Sequence, residues 1–377
     1  MQNSVGIIGG GLAGLTLAIQ LAEQGREVTL FEKKIYPFHR VCGEYIAIES
    51  WKFLERLGVN LQDLNLPIIK NLRVSAPDGT FLSQEMSSGG FGISRYTLDY
   101  LLAQIALQKG VKIIQENVED VNFLAKEDFF ELHTSQNSYC FTIVVGAFGK
   151  RSNMDIALQR NFVAETKKAK KQFVGIKYHI KLDFLDNLIE LHNFEGGYCG
   201  ISKVDADKFC LCYLADSLLL QKNANNIAQM EQNVLMKNPF LEKIFSKAVF
   251  LYEKPLAISQ ISFAFKPLVE NHILMAGDSA GMIAPLCGNG MTMAMQASKL
   301  LNEQIKLFLE KKQTRRQMES NYQKAWNKTF AMRMRVGRNL QNYVFGGKRS
   351  TNLAIATLRK MPFLVKGLVE LARGREF

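Results

Sequence analysis

Apolar residues in this chain fall into short strand-like runs and longer helical stripes, and the first 32 residues combine both. Val5, Ile7 and Ile8 open a buried run, and glycines follow at 9, 11 and 14. Leu15, Leu17, Ala18, Ile19, Leu21 and Ala22 then repeat as one helical face. Gly25 ends that helix, Val28 to Phe31 make a second short strand, and Glu32 follows it. Strand, glycine turn, helix, strand and acid form the layout of a dinucleotide-binding βαβ unit. In that layout Gly9 permits the tight turn, Gly11 lets the backbone approach a pyrophosphate, and Gly14 lets helix pack on strand. Leu12 and Ala13 lie in the first helical turn, whose free N–H groups and positive dipole end face phosphate. Glu32 is placed to hold ribose hydroxyls. The stretch does not read as a secretory leader: a basic start and a small-residue cleavage site are missing, and Glu23 and Arg26 follow directly.

Further along, Leu72 to Phe81 predicts a hairpin turning at Pro77-Asp78-Gly79. Strands are expected at 111–115, 118–124, 129–134 and 139–145, and more antiparallel strand from Ile189 to Leu214 around Gly196-Gly197. A buried strand beginning near His272 ends in Gly277-Asp278, and a loop through Pro285, Leu286 and Cys287 leads to Gly288-Asn289-Gly290-Met291 at the start of a long helix. Past residue 300 the pattern is amphipathic helix, broken near Gly346-Gly347 and Pro362. No eighteen-residue apolar run occurs, so no spanning helix is expected.

Composition changes this picture in two respects. The net charge of +12 is concentrated at one end. Leu301 to Phe377 holds 17 Lys and Arg against 5 Glu, a surplus of 12 that leaves the other 300 residues neutral in sum. Such asymmetry suits an anionic membrane surface or simply solvated helix faces. Nucleic acid is not expected, because the basic residues alternate with Leu, Met and Phe and form no reader motif. The 6 cysteines, at 42, 140, 199, 210, 212 and 287, include no CxxC pair. They read as free thiols of a reducing cytoplasm, with Cys210 and Cys212 on the same face of one strand. Only His39 lies near a cysteine, Cys42, so no metal site is expected.

The pairing of Gly9-x-Gly11-x-x-Gly14 and Glu32 with Gly277-Asp278 and Gly288-x-Gly290 resembles the FAD-dependent p-hydroxybenzoate hydroxylase superfamily. Arg40-Val41-Cys42-Gly43-Glu44 and the Pro-Leu-Cys-Gly-Asn-Gly-Met loop are most similar to its geranylgeranyl reductase branch. Arg95-Tyr96-Thr97-Leu98-Asp99 resembles the superfamily's Arg-x-x-Leu-Asp helix start, whose arginine reaches the cofactor. The resemblance implies an α/β fold in which a Rossmann-like FAD domain (1–65, 90–155 and 262–300) is interleaved with a β-rich substrate domain (66–89 and 156–261). A basic helical region (301–377) follows. It also implies that Gly9, Gly11, Leu12, Ala13, Gly14, Glu32, Lys33, Arg40, Arg95, Val118, Gly277, Asp278, Gly288, Asn289, Gly290 and Met291 surround FAD. Asp278 would take a ribityl hydroxyl, and Gly288 to Met291 would aim N–H groups at the flavin O2 edge.

Two departures from the family bear on chemistry. Where the superfamily has Asp-Gly after a central strand, this chain has Phe148-Gly149, which removes a carboxylate from the region that meets NAD(P)H. The reductases' Tyr-x-Trp-x-Phe-Pro-Lys signature is reduced to Tyr198-Cys199-Gly200-Ile201-Ser202-Lys203, so the cavity wall differs. With only Trp51 and Trp326, the Trp-x-Trp-x-Ile-Pro segment of tryptophan halogenases is missing as well. No nucleophile triad or paired acid–base carboxylates can be read, and the reactive centre falls to the flavin. The expected activity is reduction of C=C bonds in an apolar prenyl- or polyene-type substrate. Hydroxylation of an aromatic or polyene substrate and electron transfer without a small substrate are the alternatives. The reductant is expected to be NAD(P)H or a ferredoxin-like electron-donor protein. Cys42 is the candidate for cavity gate or proton donor, or else a small residue packed in a turn, and Tyr198 is the candidate substrate contact. The expected location is cytoplasmic, with peripheral attachment to membrane as the alternative.

Overall fold

The structure, a computed structural model, describes residues 3–168, 172–261, 263–283, 288–343, 347–372, 374 and 376–377. Cys287, the Pro285–Leu286 loop and Gly346, singled out above, lie outside the described residues.

Ser4–Ile8 is wholly buried at the centre of a six-stranded sheet. It pairs in parallel with Glu27–Phe31 on one side and Ile143–Gly146 on the other, and Lys112–Ile114 and Ile273–Met275 extend the parallel set outward. A strand buried on both faces needs a continuous apolar run, and Ile143–Gly146 supplies one. Here the sequence expectation of one strand over 139–145 is corrected. Ser138–Phe141 ends in a separate three-stranded antiparallel sheet with Val118–Leu124 and Phe129–Thr134. The chain changes sheets at Thr142, whose N–H donates to Ser4 O at 3.1 Å.

The second large layer has nine strands. Phe173–Lys181, Lys208–Asp216, Gly197–Val204 and Leu188–Phe194 form its antiparallel centre, and Leu188–Phe194 pairs in parallel with Ile68–Ser75. Ile68–Ser75 and Phe81–Gly92 are the arms of the expected hairpin, and Gly79 takes φ +88° at its turn. Tyr45–Ala47, within the first predicted cofactor segment, pairs with Gly90–Gly92 and so joins this sheet. One face is covered by the helices Ile227–Asn233 and Pro239–Lys247 through Ile201, Leu211, Tyr213, Met230 and Leu241. The other face looks toward the Arg40–Glu44 segment.

The mixed α/β architecture is thus a Rossmann-like sheet, separate β-rich sheets and C-terminal helices. Arg315–Tyr343 presents Met318, Tyr322, Trp326, Phe330 and Met334 at four-residue spacing to the core. Tyr322 Oη donates to Met275 O at 2.6 Å, which ties this helix to the strand before Gly277. Among the described residues no helix is long and apolar enough to cross a membrane.

Candidate functional site

The two glycine motifs meet because their helices pack together. Thr16 Oγ1 on Leu12–Glu23 donates to Ser298 Oγ on Gly290–Leu309 at 2.7 Å, and Gln20 Nε2 donates to the same hydroxyl at 3.2 Å. Hydroxyls at that interface make a one-turn slip costly, because each would lose its buried partner. Leu12, Ala13 and Gly14 form the buried first turn of one helix, and Asn289, Gly290 and Met291 open the other. A narrow cleft of about 10 Å³ beside the start of the second helix is lined by Gly277, Asp278, Gly281, Gly290, Met293 and Trp326. Gly9 takes φ +108°, and a Cβ there would lie 2.4 Å from Ala147 O, so the turn tolerates no other residue.

Beside this turn stands a group of charges. Arg95 Nε and Nη2 donate to the two carboxylate oxygens of Asp99 at 2.7 and 2.8 Å, and Arg40 Nε donates to Asp99 Oδ2 at 2.9 Å. Arg40 Nη2 also donates to Glu32 Oε2 at 2.9 Å and to Gly10 O at 3.0 Å. Glu32, at the end of Glu27–Phe31, accepts from Gly10 N at 3.1 Å as well. One buried aspartate therefore holds two guanidinium groups against the glycine turn. Burial opposes the Arg95 charge, yet attraction to Asp99 outweighs it and holds Arg95 above its ordinary range. At Gly11 an added Cβ would meet, among the described residues, only Arg95 Nη2, at 3.6 Å. That open backbone facing a fixed cation fits a phosphate. Asp99 was missed as a functional residue, although its i,i+4 spacing from Arg95 was a readable signal.

The remaining predicted cofactor residues are more dispersed. Lys33 is exposed next to Glu32, and Val118 is buried at the start of the three-stranded sheet. Asp278 lies in the short turn Gly277–Ser279, and its carbonyl accepts from Lys266 Nζ at 2.9 Å. Burial lowers the Lys266 pKa. Gly288 lies against Tyr45. Phe148-Gly149 follows Ile143–Gly146, where Gly149 N donates to Ser279 Oγ at 2.9 Å and Lys150 Nζ donates to Val41 O at 3.0 Å. FAD fits this donor set: glycine turn and arginines for the pyrophosphate, Glu32 for ribose, and the start of the long helix for the flavin edge.

The Arg40–Glu44 segment bridges the glycine turn and the large sheet, and its last residue is fixed from three sides. Glu44 is fully buried in a left-handed conformation, φ +57°. Its carboxylate accepts from Arg95 N at 2.8 Å, from Lys177 Nζ in a very short contact, and from His179 Nε2 at 2.5 Å. Such a conformation in a residue with a side chain persists only when its surroundings over-determine it. Burial would raise the Glu44 pKa, but the His179 hydrogen bond and the Lys177 charge bring it below the usual range. Burial acts against Lys177 too, and Glu44 keeps its pKa raised. His179 titrates low because burial disfavours its cation.

An ionised carboxylate only accepts, so His179 carries its proton on Nε2 and accepts at Nδ1 from Tyr252 Oη at 2.5 Å. Tyr252 in turn lies 3.1 Å from Nε2 of half-buried His39. Burial lowers the His39 pKa to about 4 and raises that of Tyr252 to about 12. A continuous hydrogen-bonded row thus runs from His39 through Tyr252 and His179 to Glu44. Its members come from three distant segments, His39 and Glu44 from one, His179 and Tyr252 from two others, and no sequence signal joins them.

Glu44, His179 and Cys210 also bring potential ligand atoms within 4.8 Å of one another, an arrangement that sequence spacing did not predict. Lys177 Nζ already lies on Glu44, so the carboxylate has an ammonium as its counter-charge. Cys210 and Cys212 share the sheet face with His179 and Lys177, as cross-strand pairs. Cys210 Sγ donates to Cys42 O at 3.3 Å, and burial raises the Cys210 and Cys212 thiols, the latter to about 12. Farther along this face the character changes: Tyr198, Leu214, Ile261 and Met282 form an apolar cluster with Phe173, Ile258 and Phe263.

Comparisons with known proteins agree with this geometry. Residues 7–41 match the family described as NAD(P)-binding Rossmann-like domain. The chain is 23% identical over 368 residues to conditioned medium factor receptor 1 of Dictyostelium discoideum, covering 90% of this chain and 70% of that one. It is 23% identical to kynurenine 3-monooxygenase of Christiangramia forsetii, covering 81% and 73% of the two chains. It is 24% identical to digeranylgeranylglycerophospholipid reductase of Methanosarcina acetivorans, covering 86% and 80%. Among solved structures, a flavin-dependent brominase superposes with TM-score 0.77 at 17% identity, covering 98% of this chain and 92% of that one. A geranylgeranyl bacteriochlorophyll reductase-like protein from Thermoplasma acidophilum gives 0.77 at 16%, covering 98% and 95%. Fold, glycine motifs and relatives together make the chain similar to FAD-dependent monooxygenases, halogenases and geranylgeranyl reductases, and they support an FAD-dependent oxidoreductase.

Proposed function

We propose that this oxidoreductase reduces a C=C bond of an apolar prenyl- or polyene-type substrate. The observation that supports the reading most directly is the two-part sheet face beside the cofactor cleft, apolar around Tyr198 and Leu214, charged around Lys177 and His179. Saturating a double bond adds a hydride to one carbon and a proton to the other. Reduced FAD, when bound, supplies the hydride from N5. The apolar cluster holds the substrate and excludes water, with Tyr198 as the candidate contact. The row from His39 to Glu44 conducts the proton inward to the segment that carries Cys42. Gly9 to Gly14, Glu32, Arg40, Arg95, Asp278 and Gly288 to Met291 hold the cofactor, and Asp99 positions both arginines. The reductant is NAD(P)H or a ferredoxin-like protein. Phe148, in place of the family's aspartate, favours the protein donor.

Kynurenine 3-monooxygenases among the relatives favour a second reading, hydroxylation of an aromatic or polyene substrate. One experiment separates the two. Enzyme reduced without oxygen and mixed with a geranylgeranyl lipid is expected to reoxidise and yield a product heavier by two hydrogens. An oxygenated product that forms only in air would overturn the reductase reading. A flavin that neither NADPH nor NADH reduces, while a ferredoxin-like donor does, would assign the protein donor. If no small substrate is then turned over, the chain is an electron carrier.

A further inference from the structure

We propose that the last two helices, Lys348–Leu358 and Pro362–Ala372, form a platform that docks the protein onto an anionic lipid bilayer. This surface lies outside the cofactor cleft and does not depend on the reaction proposed above.

Both helices rest on the strand Phe81–Gly92 and the hairpin behind it, through Ile355 and Val365 packed with Val74, Ala76 and Leu82. Their opposite faces turn away from the sheet. On the first helix Arg349, Leu353 and Ala356 recur at helical spacing along the exposed side, with Leu353 71% exposed, and exposed Lys360 follows in the turn after it. On the second, Phe363 is 67% exposed and Leu371 54%, and both fall on the arc opposite Val365 together with Leu364 and Gly367. Single exposed leucines are common on any surface, but here four exposed large apolar side chains, Leu353, Phe363, Leu364 and Leu371, stand on two consecutive helices.

The charge around them selects the partner. Arg349 and Lys366 are exposed on these helices and Arg359 and Lys360 in the turn between them, against one described acid, Glu370, which accepts from Ser87 Oγ. The whole +12 surplus of the chain lies past residue 300. Exposed apolar side chains flanked by cations that form no ion pair among the described residues match the boundary between anionic headgroups and acyl chains, where each apolar group gains burial and each cation meets phosphate. Under the turn between the helices a cavity of about 270 Å³ is lined by Phe81, Leu82, Leu358, Arg359, Pro362 and Val365. Ser83, Gln84 and the Arg359 guanidinium also stand in its wall, which suits an anionic headgroup.

The test uses full-length, FAD-loaded protein and sedimentation with vesicles at low ionic strength. Wild type is expected to pellet with phosphatidylcholine vesicles containing about one third phosphatidylserine, to stay in solution with phosphatidylcholine alone, and to be released by salt. The pair Lys360→Glu and Lys366→Glu should weaken binding about tenfold or more. Phe363→Ser with Leu371→Ser should weaken it comparably while leaving flavin absorbance and melting midpoint unchanged. Leu353→Ser serves if that pair melts early. Wild type remaining in the supernatant with the anionic vesicles would overturn the proposal, as would charge-reversed protein that pellets like wild type. A concentration-dependent dimer abolished by Phe363→Ser, without vesicle binding, would overturn it in favour of a second copy.

Discussion

The large sheet carries the same chemical pair, a buried histidine on a buried glutamate, on both of its faces, and the two are put to different uses. On the face toward the cofactor cleft His179 Nε2 donates to Glu44, and Nδ1 accepts from a hydroxyl, that of Tyr252. On the helix-covered face His192 Nε2 donates to Glu190 at 2.8 Å, and Nδ1 accepts from the hydroxyl of Ser75 at 2.9 Å. Cross-strand pairing assigns the faces: His192 pairs with Cys199 and Glu190 with Ile201, whereas His179 and Lys177 pair with Cys210 and Cys212, which pair in turn with Ser202 and Gly200. Ser75, His192 and Glu190 have the order of a nucleophile, base and acid. Yet Ser75 is fully buried and its oxygen accepts from Asn238 Nδ2 at 2.9 Å, while Arg73 neutralises Glu190 and the Phe240 ring stacks on the imidazole at 5.0 Å. Every valence is closed from within, so this cluster is a fastener. The Glu44 cluster instead takes its carboxylate from another part of the fold and continues through Tyr252 to half-buried His39. Connection to solvent and to the cofactor segment separates the two, because the residue types and bond lengths do not.

The sharpest way to break the comparison is to remove one buried polar partner from each cluster. Lys177→Met leaves Glu44 buried beside a neutral neighbour and is expected to destabilise the protein by about 3–5 kcal/mol in a denaturant titration. Flavin binding should weaken too, because the Arg40–Glu44 segment loses its anchor. Next in size, Asn238→Ala removes the N-cap of Pro239–Lys247 and the Ser75 contact, and should cost about 1–2 kcal/mol while leaving turnover per folded molecule unchanged. If turnover collapsed with stability intact, the fastener reading would be wrong.

Tyr252→Phe sharpens the comparison from the other side. It interrupts the proton row, so turnover should fall about tenfold to a hundredfold and the solvent isotope effect should change, with a melting midpoint close to wild type. Ser75→Ala, its counterpart, should leave the pH profile of turnover where it was. Acid offers a further test. His39 and His179 titrate below the ordinary value of 6.5 in the folded protein, so the unfolded chain binds more protons as pH falls through 6.5 toward about 4. Melting temperature should therefore decline across that window, and His39→Gln should flatten the decline. The smallest expected effect is that of Cys42→Ser, within about twofold of wild-type turnover. The Cys42 carbonyl already has a protein partner in Cys210, and the hydroxyl of serine keeps the size of the turn.

What the sequence settled by itself is local. The parallel core strand, the Gly9–Gly14 turn, the helix behind it and the hairpin at Gly79 each follow from residues within one stretch, because side-chain period and backbone freedom are properties of neighbours. The two glycine motifs were legible for the same reason. The split at Thr142 was not, since an apolar run does not say which sheet will accept it. Tertiary structure alone decided that Arg40 and Arg95 share Asp99, and that Glu44 meets Lys177 and His179 from more than 130 positions away. Buried charges are stable only with partners, and nothing in the chain's order says which distant carboxylate will be folded against which cation.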